Sequence, residues 1–283
     1  MSRPRSFSAD AYNPVPESEN RIHSDEVAHR FGFQGALVPG VVVSAYLMHP
    51  AIEAWGIDWL SRGRASVVVE RPVYDGERFD VVIDEVPDAI PENATEAVSG
   101  RSYIARLVNA EGNVRAKGTV ALPDVAPEMP VMRGDPHLSA GRERAPARRE
   151  AMEALRETGL GAVRARWPEA EITTYLKDSS EMPSLLQPGG EGFANPAFVL
   201  GLSNWALAAN VRMSPWLHLQ TDHQNFAPIP PGSELVVEQR IADLFEKKGH
   251  EFVDVDLATF HLDGRPVMSA RLRAIYKLRG DDA

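Results

Sequence analysis

The sequence contains no cysteine. The chain can therefore form neither a disulfide framework nor a zinc site with thiolate ligands, and nothing in it points to an oxidising compartment. It also lacks any apolar run close to the ~20 residues of a membrane-spanning helix, and its basic first residues lack the apolar run of a secretory signal. We therefore expect a cytoplasmic protein without a membrane span.

Positive charge is also in short supply. Lysine and arginine total 30, against 40 aspartate and glutamate residues, which gives a formal net charge of -10. Because such a chain repels a polyanion on average, we expect no nucleic-acid partner. The 43% apolar and 25% charged residues are ordinary for a globular protein, and the length is enough for about two domains.

The chain carries an internal repeat. A β-branched stretch at residues 65–69 is followed by a Pro/Gly turn and by a stretch that alternates apolar with polar residues, and this pattern predicts a β-hairpin. A second turn, at residues 110–113 in the first copy and 262–265 in the second, leads each time into an alternating strand. The copies align without a gap at Pro72, Gly76, Phe79 and Val81, which match Pro228, Gly232, Leu235 and Val237.

One long apolar run precedes the strands of each half. Residues 40–48 of the first half align with residues 196–204 of the second. A valine-rich run is also compatible with a buried strand, but both runs are long and follow Pro, Gly or Asn, which favours buried helices. Each half is then an α+β unit in which a curved antiparallel sheet surrounds its own helix.

Proline and charged residues separate the two halves. They predict a first half at residues 1–124, a linker at 125–146 and a second half at 147–283, since proline excludes regular structure. Tandem duplication commonly replaces a symmetric dimer, so we expect the halves to pack as an intrachain pseudo-dimer. A further homodimer of the whole chain stays open.

Polar residues are concentrated just ahead of the first predicted helix. The second half has Ser179 where the first half has His23, so a single active site would belong to the first half. The first-half segment resembles the hydratase motif of the MaoC-like dehydratases, the family of the (R)-specific enoyl-CoA hydratases. The resemblance rests on Asn20, Ile22, His23, Asp25, the Phe31-Gly32-Phe33 turn and Val38-Pro39-Gly40.

The family resemblance implies a tandem double hot-dog fold, in which an antiparallel sheet wraps around a long central helix in each half. It implies an acyl-thioester ligand, most simply an acyl-coenzyme A, with coenzyme A present only as part of the substrate and no metal or other cofactor. The family pattern is Asp-x-Asn-Pro-Ile-His, followed by His-Gly at the helix start. The chain retains Asn20, Ile22, His23 and Gly40, and it has Ser18, Arg21 and Pro39 in place of the Asp, the Pro and the His before the glycine.

The activity that the resemblance implies is hydration of a 2-enoyl thioester, or the reverse dehydration. This chemistry needs a base that activates water, an acid that protonates the α-carbon, and donors that stabilise the enolate oxygen. His23 is the candidate base and Asn20 orients the water or the imidazole. The N–H of Gly40, at the positive end of a helix, is the candidate donor to the thioester carbonyl.

In this chain, a neighbouring residue would have to supply the acid/base role of the family's catalytic Asp. Ser18 occupies its position, and Glu19 is the adjacent carboxylate, so both join the candidate catalytic residues. Glu17 and Asp25 are further substitutes. A shift of one or two residues is compatible with a loop, although a small misplacement of a catalytic group can lower a rate about a hundredfold.

Other interpretations of the same residues stay open. Hot-dog thioesterases use an acidic residue with backbone donors, and Glu17 or Glu19 could fill that role. The lost motif residues at positions 18 and 39 are compatible with a protein that binds an acyl thioester without converting it. His23 could bond a loop carbonyl, and Gly40 could serve only to start a helix.

Overall fold

The computed structural model of the protein describes residues 2–85, 100–125, 127–134, 143–168, 172–213 and 215–280. The strands are β1 (Phe7–Asp10), β2 (Arg64–Val69), β3 (Arg78–Glu85), β4 (Gly100–Asn109), β5 (Val114–Pro123), β6 (Val163–Arg166), β7 (Leu217–Asn225), β8 (Glu234–Lys247), β9 (His250–His261) and β10 (Pro266–Lys277). The helices are α1 (Asp25–Arg30), α2 (Gly40–Trp55), α3 (Ile57–Arg62), α4 (Arg149–Thr158) and α5 (Pro196–Ala208). None of the helices in these ranges is long and apolar enough to cross a membrane.

The ten strands form one antiparallel sheet in the order β1-β3-β4-β5-β2-β7-β10-β9-β8-β6. The first half supplies the five strands on one side and the second half supplies the five on the other. The halves meet where β2 pairs with β7, with Val67 opposite Thr221. The strand order of the second half repeats that of the first, which confirms the internal repeat that the sequence predicts.

Both predicted helices are confirmed, and both are buried. Every residue of α2 from Val41 to Ile52 is buried, which a helix that is apolar on all sides requires. In the second half, α5 begins where the Asn195 side chain accepts a hydrogen bond of 3.0 Å from the N–H of Phe198. Pro196 then occupies the first turn, where its missing N–H has no effect on the helical hydrogen bonds.

The predicted hairpin around residues 65–83 is wrong, and so is its counterpart in the second half. Strand β2 lies between β5 and β7, whereas β3 lies between β1 and β4. The connection at residues 70–77 is longer than the ~2–5 residues of a hairpin loop, and it pairs with the loop ahead of α2 instead. The N–H of Val38 donates to the Val73 carbonyl at 2.8 Å, and the N–H of Asp75 donates to the Ala36 carbonyl.

The later turns have the predicted geometry. Residues 110–113 connect the paired strands β4 and β5, and residues 262–265 connect the paired strands β9 and β10. Each of these turns contains a glycine, Gly112 or Gly264, with a positive φ near 80°, at 79° and 86° respectively. Only glycine adopts this conformation without a steric cost, so short-range chemistry is sufficient to specify these two hairpins.

Part of the segment between the halves is held by the second half. Of the predicted linker at 125–146, residues 126 and 135–142 lie outside the described residues. The N–H groups of Arg133 and Gly134 donate to the carboxylate of Glu238 at 2.9 and 2.8 Å. Glu238 is buried on β8, so these two backbone groups help to satisfy a carboxylate that burial would otherwise destabilise.

Candidate functional site

The motif residues lie in a pocket that both halves build. The first half contributes the 3₁₀ turn at Arg21–His23, the start of α2 and the connection between β2 and β3. The lining consists of Asn20, His23, Phe33, residues 37–40, residues 69–73, Asn204 and residues 216–219.

The empty volume of this pocket is about 730 Å³, including its open mouth. A second pocket of about 370 Å³ lies at the start of α5, where Trp59 and His223 contribute to its wall. Because the first pocket contains the motif residues, it is the candidate site.

His23 is held in one neutral tautomer at the wall of the pocket. Its Nδ1 lies 2.7 Å from the carbonyl oxygen of Leu37, which can only accept a hydrogen bond, so Nδ1 carries the hydrogen. Nε2 then has the lone pair, and it accepts from the Asn20 amide nitrogen at 3.2 Å. Burial lowers the pKa of His23 to about 4, and the Leu37 carbonyl opposes that shift only in part.

Asn20 connects the motif to the second half. Its amide nitrogen donates to the carbonyl of Trp216 at 3.0 Å, and its amide oxygen accepts from the N–H of Trp216 at 3.1 Å. Because the Trp216 carbonyl can only accept and the Trp216 N–H can only donate, these two groups define which end of the Asn20 amide is the nitrogen. The amide nitrogen that faces Trp216 also reaches His23, so the second half orients the first-half imidazole through Asn20.

Helix α2 begins at Gly40, where its backbone lies close to the backbone of His218 in the second half. A Cβ atom at this position would lie 2.7 Å from the carbonyl oxygen of His218 and 3.1 Å from its Cδ2. Only glycine permits this approach. Among the described residues, the N–H groups of Gly40 and Val41 have no hydrogen-bond acceptor, as is usual in the first turn of a helix. Gly40 therefore leaves a backbone donor at the pocket.

The other candidate residues do not line the pocket. The Ser18 hydroxyl donates to the carbonyl of Asn20 at 3.3 Å. Glu19 accepts two hydrogen bonds from Arg144, at 2.8 and 2.9 Å, and this contact lowers the pKa of Glu19. Asp25 accepts from the N–H of Ala36 at 2.7 Å. The structure therefore brings together Asn20, His23 and Gly40, and it places Ser18 and Glu19 elsewhere.

The carboxylate nearest to the site is at the pocket mouth. Among the described lining residues, Glu70 is the one carboxylate, and its Oε1 lies 2.6 Å from Nζ of Lys117. Both side chains are largely exposed to solvent. Glu17 is exposed as well and lies 3.7 Å from Arg21. No described carboxylate therefore contacts His23.

The second half contributes Asn204 and residues 216–219 to the lining, although their sequence context does not indicate it. His218 reaches the interior because β7 contains a bulge. Gln220 pairs with Arg273 and His218 with Ala274, which leaves Leu219 without a partner in the register. The bulge reverses the alternation, so His218 points to the same buried side as Thr221.

No protein-family model and no curated protein sequence matches the chain. Solved structures match it over almost its full length. A double-hotdog protein from Mycobacterium tuberculosis is 12% identical with a TM-score of 0.53, over 97% of this chain and 96% of that one. A MaoC-like dehydratase is 12% identical with a TM-score of 0.55, over 98% and 99%. A candidate thioesterase II from Thermobifida fusca is 14% identical with a TM-score of 0.51, over 98% and 95%.

These similarities show that the chain has the double hot-dog fold. The expected fold class is therefore confirmed, and the two halves form the expected intrachain pseudo-dimer. The identities are low, and the same fold occurs in a MaoC-like dehydratase and in a candidate thioesterase. The fold alone therefore does not distinguish between these activities, and the chemistry of the pocket has to do so.

The close approach at Gly40 leads to a first prediction. Gly40→Ala should lower the free energy of unfolding by about 1–3 kcal/mol, because the new methyl group overlaps the His218 carbonyl. The matched control is Gly201→Ala in α5, where a Cβ would make ordinary contacts of 3.7 and 3.8 Å. That variant should gain about 0.5–1 kcal/mol from helix propensity. Urea denaturation measures both, and equal effects of the two variants would contradict the steric explanation.

Buried histidines lead to a second prediction. Burial lowers the pKa of His218 to about 3 and that of His223 to about 4, below the 6.5 of an unfolded histidine. The unfolded chain therefore binds more protons below pH 6.5, so stability should fall as the pH falls from 6.5 to 5. The slope is at most about 1.4 kcal/mol per pH unit for each such histidine. Urea denaturation should show a shallower slope for His223→Leu; an unchanged slope would exclude this contribution.

Proposed function

We propose that the protein hydrates a 2-enoyl thioester, or dehydrates the corresponding 3-hydroxyacyl thioester, with His23 as the base. The observation that carries the proposal is that a neutral imidazole and the free N–H of a helix start line the same pocket. A base must have its lone pair available, and a pKa of about 4 keeps His23 neutral at neutral pH. The bound molecule would be an acyl thioester, most simply an acyl-coenzyme A.

Hydration needs only one imidazole if the hydroxyl group and the proton are added to the same face of the double bond. Nε2 of His23 takes a proton from water while the water oxygen bonds to C3 of the substrate. The π electrons move through C2 onto the thioester oxygen, which becomes an enolate held by the Gly40 N–H. The enolate then takes the proton back from the imidazolium at C2, which restores the neutral base.

Asn20 has two roles in this scheme. Its amide now donates to Nε2 of His23 at 3.2 Å, so the reacting water replaces that hydrogen bond when it binds. The contacts with Trp216 hold the amide in place during the exchange. The Asn20 N–H that is displaced can then donate to the oxygen of the water. This hydrogen bond orients a lone pair of the water oxygen towards C3.

The substrate carrier would lie at the mouth of the pocket. Arg71 is exposed there and follows Glu70 in the chain, so it is a suitable partner for a phosphate of coenzyme A. The scheme requires no metal or redox cofactor. We place the reaction in the cytoplasm, in keeping with the sequence-based expectation.

A second candidate function is binding of an acyl thioester without conversion. It is favoured by one observation, the lack of a described carboxylate in contact with His23. Ser18, at the position of the family's Asp, donates its hydroxyl to the Asn20 carbonyl instead. Hydrolysis of the thioester has less support, because Glu70 is ion-paired with Lys117 at the mouth and Glu19 with Arg144.

The third prediction tests the proposed reaction. Purified protein should remove the enoyl-thioester absorbance of a panel of 2-enoyl-coenzyme A substrates, and His23→Ala should lower kcat/KM by about 10²–10⁴. His29→Ala is the matched control, because His29 is exposed on α1 and its Nε2 contacts the Gln34 carbonyl at 2.9 Å, away from the pocket. A parallel assay for free thiol detects hydrolysis. Tight binding with no change in either assay would instead support the second candidate.

A fourth prediction concerns pH. The base is active when neutral, so kcat/KM should be constant at neutral pH and should fall only as the pH approaches about 4. The measurement is kcat/KM from pH 4 to 8, with the folded fraction determined at each pH. An acidic limb near 6.5 would contradict the role of His23, because it would indicate a base with an ordinary histidine pKa.

A further inference from the structure

Asn204 differs from Asn195 and Asn210 in what its amide nitrogen contacts. The Asn195 amide nitrogen donates to the carbonyls of Ile172 and Thr173, and that of Asn210 donates to the carbonyls of Gly161 and Ala206. Among the described residues, the Asn204 amide nitrogen has no acceptor, although Asn204 is half-buried and lines the pocket. A donor of this kind is available to a bound molecule.

The oxygen end of the Asn204 amide is occupied. Nδ1 of His218 lies 3.4 Å from Oδ1, and the Ser203 hydroxyl also lies 3.4 Å from it. These distances are long for hydrogen bonds. Nε2 of His218 bonds the hydroxyl of Thr221. When Nε2 accepts from the Thr221 hydroxyl, Nδ1 carries the hydrogen and donates to Oδ1 of Asn204, so the amide nitrogen points away from His218.

His218 also connects Asn204 to Gly40. A Cβ atom on Gly40 would lie 3.1 Å from both Cβ and Cδ2 of His218, so the start of α2 packs directly on the imidazole that bonds Asn204. The Gly40 N–H and the Asn204 amide therefore adjoin the same side chain and line the same pocket. Two donors that share one acceptor oxygen are the arrangement that stabilises a developing oxyanion.

We infer that Asn204, from the second half, is a hydrogen-bond donor to the thioester oxygen in the pocket of the first half, and that His218 is its positioning residue. This inference rests on the proposed acyl-thioester ligand. The Asn204 N–H and the Gly40 N–H donate to the same oxygen, first as a carbonyl and then as an enolate. Because an anionic oxygen accepts more strongly, the contact favours the transition state over the bound substrate.

The fifth prediction separates a carbonyl contact from general packing. Isothermal titration calorimetry compares saturated acyl-coenzyme A, which carries the carbonyl, with S-alkyl-coenzyme A of the same length, which lacks it. Asn204→Ala should weaken binding of the thioester about tenfold, the size of one hydrogen bond, and leave binding of the thioether unchanged. In the hydration assay, kcat should fall about a hundredfold and KM much less.

Substitutions at His218 and Asn204 test orientation and charge. His218→Asn retains a side-chain N–H near the Asn204 oxygen, so it should keep more of the thioester preference than His218→Ala at equal folded fraction. Asn204→Asp replaces the donor with a repelling carboxylate and should lose at least as much as Asn204→Ala. Asn113→Asp, an exposed change of the same charge in the turn after β4, should leave both ligands unaffected.

The outcomes distinguish this inference from the proposed function. Carbonyl-specific loss without turnover by the wild-type protein would support the Asn204 contact and reject hydration. Normal turnover and unchanged thioester binding in Asn204→Ala would overturn the contact and leave hydration intact. Equal loss of thioester and thioether binding would also overturn it, because that result indicates packing. Failure of the wild-type protein to bind either ligand would reject both.

Discussion

The contact between the start of α2 and strand β7 is the constraint on which the pocket depends. Without a side chain at Gly40, the His218 backbone can approach the first turn of the helix to a distance that a methyl group would prevent. The same approach brings the Trp216 backbone to Asn20 and the His218 ring beside the helix N-terminus. The second half therefore completes a pocket whose motif residues lie in the first half.

Desolvation determines the charge state of the site. With no described carboxylate in contact, burial of His23 favours the neutral ring, and the Leu37 carbonyl selects the tautomer with its lone pair on Nε2. An Asp–His pair would instead stabilise an imidazolium. The chemistry proposed for this pocket therefore uses a single neutral base, with backbone and amide donors in place of a second charged group.

The duplicated halves have diverged into different roles. The first half retains the histidine and the glycine at the helix start, and the second half has Ser179 at the equivalent of His23. The second half still reaches the pocket through Trp216 and through its helix, α5. In a symmetric dimer, one sequence would have to serve both roles, whereas a tandem chain permits each half to change separately.

The features that depend on neighbouring residues can be predicted from the sequence. The repeat, the two buried helices and the glycine turns at 110–113 and 262–265 follow from apolar patterning and local backbone preference, and the motif around His23 identified the pocket. The tertiary structure was needed for four other features: the strand order, the bulge at Leu219, the pairing of Glu19 with Arg144 and the position of Asn204. Each depends on a contact between segments far apart in the chain, and local sequence does not encode which distant backbone will satisfy a strand edge or a side chain.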